Sequence, residues 1–95
     1  MDDLVEKAGS TGWMAYHTYD SRRSEKGFPD LVLVKPPVVV FAELKTDKGR
    51  TSKEQDEWLE QLGLCTDIEV HLWRPSNWDE IEDKLGFIPK GTSPY

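Results

Sequence analysis

Apolar residues in this chain follow two rhythms, and the changes between them mark the elements. Residues 2–9 carry a helical spacing that the Gly9-Ser10-Thr11-Gly12 segment cuts. Trp13 to Tyr19 is rich in aromatics and reads as a strand. Asp20 to Phe28 is polar and reads as a loop. Asp30–Val34 and Val38–Lys45 are continuous β-branched or aliphatic runs, as expected of strands buried on both faces. Lys35-Pro36-Pro37 separates them, since proline punctuates strands. Thr46 to Thr51 is a polar loop. Ser52-Lys53-Glu54-Gln55 has the form of a capping box and opens a helix with Trp58, Leu59 and Leu62 on one face and Gly63 as its stop. Ile68 to Trp73 alternates and reads as a strand whose apolar face is Ile68, Val70 and Leu72. Arg74-Pro75 ends it. Ser76 to Asp79 is a second capping pattern, opening a helix to about Leu85 with Trp78, Ile81 and Leu85 aligned. The tail, 86–95, reads as irregular.

The order is therefore α-β-β-β-α-β-α, which predicts an α/β fold: a central mixed sheet containing an antiparallel β-meander, flanked by helices. At 95 residues the chain fits one small domain over 1–95, with its core at about 13–85.

Charge interrupts this pattern at one place. Asp30 opens the first greasy strand, and Glu43 and Lys45 close the second. Residues two apart on a strand share a face, so Glu43 and Lys45 project together. If the strands form a hairpin about Pro36-Pro37, each opposed pair sums to 73 and Asp30 falls opposite Glu43. Like charges so placed repel. Pro-Pro suits a two-residue hairpin turn poorly, so a wider loop is expected. A raised carboxyl pKa, the Lys45 ammonium or a bridging divalent cation would each relieve the repulsion. Oxygen ligands favour Mg²⁺ or Mn²⁺. Taken alone, the same three residues also fit an ordinary strand-end ion pair with Asp30 capping a turn. Gln55 sits on the apolar face of its helix, one short loop beyond Lys45. It can complete the capping box, or it can reach the strand ends.

Composition changes the picture in one respect. Net charge is −6, against a nucleic-acid partner at first sight. Residues 22–53, however, hold eight cations and four acids, while the remainder nets −10. An acidic body with a basic working region permits phosphate binding there. No apolar run is long enough for a membrane span, and the N-terminus lacks the pattern of a signal peptide. The single cysteine, Cys65, forms no internal disulfide, which fits a reducing, cytosolic setting rather than secretion.

Gly27-Phe28-Pro29-Asp30, then Glu43-Leu44-Lys45-Thr46, then Gly49, Ser52, Gln55 and Trp58 resemble the VRR-NUC (virus-type replication-repair nuclease) domain of the PD-(D/E)XK nucleases. The likeness spans residue 13 to about 85. It implies a restriction-endonuclease-like core that hydrolyses phosphodiester bonds with Mg²⁺ or Mn²⁺. It implies Asp30, Glu43 and the backbone carbonyl of Leu44 as metal ligands, Lys45 as the catalytic lysine and Gln55 as a supporting residue. It further implies a homodimer acting on branched, flapped or four-way-junction DNA in phage or viral replication and repair. The family's first-helix acid has no secure match; Asp2, Asp3 and Glu6 are the candidates. That departure leaves a second expectation open, a DNA-structure-binding module with weak or no cleavage.

Arg22, Arg23, Ser24 and Lys26 precede Asp30, and Lys48 and Arg50 follow Lys45. All suit phosphate contacts, and all also suit a solvated loop. His17 is a weaker candidate of the same kind, read first as a strand residue. Trp58 and Trp78 fall at core spacing, and Trp13 and Trp73 are read mostly as core.

Overall fold

The four apolar runs pair into one sheet in strand order β1-β2-β3-β4. The computed structural model describes residues 2–18 and 25–86, with side chains from Leu4 onward. The elements are α1 (Asp2–Ser10), β1 (Met14–His17), β2 (Leu31–Lys35), β3 (Val38–Leu44), α2 (Lys53–Gly63), β4 (Glu69–Trp73) and α3 (Trp78–Leu85). Strands β1, β2 and β3 form the antiparallel meander, and β4 joins β3 in parallel after the α2 crossover. The mixed α/β fold and its element order are as expected from the pattern.

Strand alternation sorts the two faces. Leu31, Leu33, Val40 and Ala42 are fully buried with Leu4 and Ala8 of α1 and Ile81 and Leu85 of α3. Trp13, Trp73 and Trp78 complete that core, and the Trp13 indole donates to the Leu85 carbonyl at 3.3 Å. Helix α2 covers part of the other face through an aromatic stack. Phe28 meets Phe41 and Trp58 edge-on, at 6.2 and 5.1 Å between ring centres. Trp58 is only half-buried, so it is a margin residue rather than core.

Four local expectations are corrected. The β2–β3 turn is two residues long: Lys35 pairs with Val38, and the Pro36-Pro37 peptide is cis. Gly63 lies within α2 at ordinary φ, and the helix ends on Leu64 in right-handed conformation. Ser76 does not cap α3. A 3-10 turn over Pro75–Asn77 intervenes, in which the Asn77 side chain accepts the Arg74 N–H at 2.9 Å. On β4 the deeply buried residue is Trp73, while Leu72 is 36% exposed. The core takes the face that carries Trp73, so alternation in its sequence misidentifies the inner one.

Candidate active site

The strand register puts the charges together. Leu31 pairs with Ala42 and Val32 with Phe41, so each pair sums to 73 and Asp30 lies opposite Glu43 at the end of the ladder. Both share the α2 face with Lys45. Glu43 is only 1% exposed. Its Oε2 accepts from Gln55 Nε2 at 2.7 Å and lies 3.4 Å from Lys45 Nζ. Its Oε1 is buried with no partner. Burial, and next the neighbouring Asp30 charge, push the Glu43 carboxyl up to about 7, against the opposing pull of Lys45.

Gln55 performs both roles left open by the sequence. Its Oε1 accepts the Ser52 N–H at 2.8 Å, and its N–H donates to Ser52 Oγ at 3.2 Å, closing the capping box. Its amide nitrogen remains for Glu43. The helix cap therefore orients the group that fixes the carboxylate.

Backbone chemistry explains Asp30. The Leu44 N–H donates to Asp30 Oδ2 at 2.9 Å. By the same register Leu44 faces Pro29, which has no N–H to return. Within a strand the N–H and C=O of one residue point the same way. The Leu44 carbonyl thus points toward Asp30 and receives no ladder hydrogen bond from Pro29.

Gly27 brings α2 to the strands. Its φ is +88°, and a Cβ there would stand 2.4 Å from the Glu54 carbonyl carbon and 2.7 Å from Gln55 N. Only glycine permits this approach. Pro29, Gly27 and the Leu44 N–H were not assigned these positioning parts from the sequence. The signal was their place in the Gly27–Asp30 and Glu43–Lys45 segments.

A divalent cation fits these residues. Two hard carboxylates face each other at the strand ends, and a buried carboxylate oxygen is costly without a partner. Among the described residues no group of three or more acids, histidines or cysteines gathers. Glu6 is exposed on α1, which packs on the opposite face of the sheet; the side chains of Asp2 and Asp3 lie outside the described residues.

Lys26 is exposed and pairs with Glu54 at 3.2 Å. Lys48 and Arg50 are exposed on the loop after Lys45. Arg22, Arg23 and Ser24 lie outside the described residues, as does the tail beyond Gly86. His17 pairs with Leu31, so it lies on the α1 face, away from Glu43.

Fold and strand-end chemistry together define a class, the nucleases with a restriction-endonuclease-like core. Within that class the chain belongs to the VRR-NUC family, whose domain model matches residues 1–74. The match starts earlier than the motif likeness at residue 13 and stops short of α3. The chain is also similar to Archaeoglobus fulgidus Hjc, a Holliday junction resolvase from an archaeal hyperthermophile, solved at 1.6 Å. The two are 24% identical, with a TM-score of 0.53. The likeness covers 78% of this chain and 64% of that one, and it bears on the fold. No curated protein matches the chain.

Proposed function

We propose that this protein is a Mg²⁺- or Mn²⁺-dependent DNA endonuclease that hydrolyses phosphodiester bonds in branched, flapped or four-way-junction DNA. The observation that carries the reading is Glu43, buried beside Asp30 with one oxygen braced by Gln55 and Lys45 and the other unpartnered. Asp30, Glu43 and the Leu44 carbonyl would hold the cation. When bound, it supplies Lewis-acid polarisation of the scissile phosphate and acidifies water. Lys45 presents its ammonium to the attacking water and to charge developing on the phosphoryl oxygens. Gln55 and the Leu44 N–H keep the two carboxylates in one orientation.

Family membership supports nuclease chemistry, and the fold shared with a Holliday junction resolvase supports a branched substrate. A homodimer would present two such sites to paired strands. Replication or repair of phage or viral DNA, in the cytoplasm of the infected cell, is the setting that fits the family.

Cleavage of labelled duplex, flap and four-way-junction DNA with Mn²⁺, Mg²⁺ or EDTA tests this. Lys45→Ala and Asp30→Asn should each lower the rate at least about 100-fold while leaving the protein folded. Full activity in either variant, or in EDTA, would overturn the assignment. The second reading, a binding module without cleavage, is favoured by the two-acid site alone. It requires junction binding and no cutting under any metal.

A further inference from the structure

The loop that leaves Lys45 is tied to the far end of β4. Arg74 Nη1 donates to the carbonyls of both Thr46 and Gly49, each at 2.6 Å. The Gly49 N–H closes the same turn onto Thr46 O at 3.1 Å. Beside it, the Ser76 N–H donates to Asp47 Oδ1 at 2.9 Å, and Lys45 N donates to Trp73 O at 3.0 Å. The Ser76 contacts hold the Asp47 carboxyl below its usual range, and Arg74 adds to the effect. A Cβ at position 49 would stand 2.9 Å from Thr46 Oγ1, so the Thr46 side chain would have to turn aside. Arg74 is itself placed by its N–H on Asn77. The loop is thus pinned at residues 45, 46, 47 and 49, and its two cations, Lys48 and Arg50, are left exposed.

The donor's chemistry matters. A guanidinium is charged at every working pH, and here one of its nitrogens, Nη1, uses both of its N–H groups to span the two carbonyls. One group bridging two carbonyls fixes the spacing between the ends of the turn. Loop cations ordered before binding lose less freedom when they meet a phosphate.

We propose that Arg74 is a positioning residue. It clamps the loop after Lys45 so that Lys48 and Arg50 meet the phosphates of the DNA strand entering the Asp30–Glu43–Lys45 site. This rests on the nuclease reading. The partner is the phosphate backbone, so the effect is independent of base sequence.

A double-mutant cycle tests it, with four-way-junction binding measured in EDTA across a salt series. Replacing Lys48 and Arg50 together by alanine should weaken binding about tenfold in the otherwise native chain and less than about twofold when Arg74→Gln is also present. Arg74→Gln alone should lower the slope of log affinity against log salt by nearly two contacts, although Arg74 itself touches no phosphate. Equal losses in both backgrounds would overturn the proposal. Amide exchange at residues 46–50 without DNA separates the clamp from the nuclease reading. It should quicken at least about tenfold in Arg74→Gln while α3 stays protected, and unchanged exchange sinks the clamp. Quickened exchange in a protein that binds no junction would instead overturn the nuclease reading, and the phosphate role of the loop with it.

Discussion

At the scale of single residues, Glu43 is the group on which the site turns. Its folded pKa of about 7 lies above the ordinary 4.5, so the metal-free fold prefers it protonated. The stability linked to that proton is fully present below the unfolded pKa and is lost as pH rises through about 7. Urea unfolding in EDTA should therefore show stability falling between about pH 4.5 and 7, by on the order of 3 kcal/mol. Glu43→Gln should flatten that fall, and saturating Mn²⁺ should reverse it near neutral pH. A pH profile identical in Glu43→Gln would contradict the pKa assignment. Gln55→Glu separates the two parts that Gln55 plays. It keeps an acceptor for the Ser52 N–H but sets a carboxylate against Glu43 Oε2. Helix content should survive, while the Mn²⁺ concentration needed for cleavage should shift by about 10- to 100-fold. An unchanged Mn²⁺ requirement would leave Gln55 as a cap only.

Elements meet the site through backbone packing. Gly27→Ala should push α2 from the strands and cost roughly 1–3 kcal/mol, with loss of cleavage, because the new Cβ meets backbone rather than a flexible side chain. Gly63→Ala in the same helix meets nothing within 4 Å and should stabilise by about 0.5–1 kcal/mol. Thermal melts of the pair check both signs. The contrast also shows what the chain's pattern can reveal. Strand pairing was legible because the chain reverses at Pro36-Pro37, and a hairpin centred there puts Asp30 opposite Glu43, as the observed register does. The tightness of that turn was not legible, since Pro-Pro is not among the residue pairs that favour two-residue hairpin turns. Nor was the inner face of β4, because the side that looks polar, with Glu69 and His71, is the one that Trp73 anchors in the core. The capping box at Ser52 was readable from four adjacent residues. Arg74 was not, because its partners stand 28 and 25 residues away and are carbonyls that any residue would offer.

At the scale of the whole molecule, charge is divided along the sequence, with a basic excess in residues 22–53 and an acidic excess elsewhere. Junction affinity should fall steeply with salt despite the net charge of −6, since contacts to phosphate release counterions. A salt-independent affinity would argue against the basic loops as the contact surface. The fold serves this division by bringing Asp30, Glu43 and Lys45 to one end of the sheet, with α2 bracing Glu43 from above. Among the described residues no helix is long and apolar enough to cross a membrane. The central claim, a divalent cation held between Asp30 and Glu43, is tested most directly by calorimetric titration of the protein with Mn²⁺ at two pH values. One site should appear, lost in both Asp30→Asn and Glu43→Gln, and binding near pH 6 should release up to one proton that is not released at pH 8.5. Mn²⁺ binding that survives either substitution would contradict it.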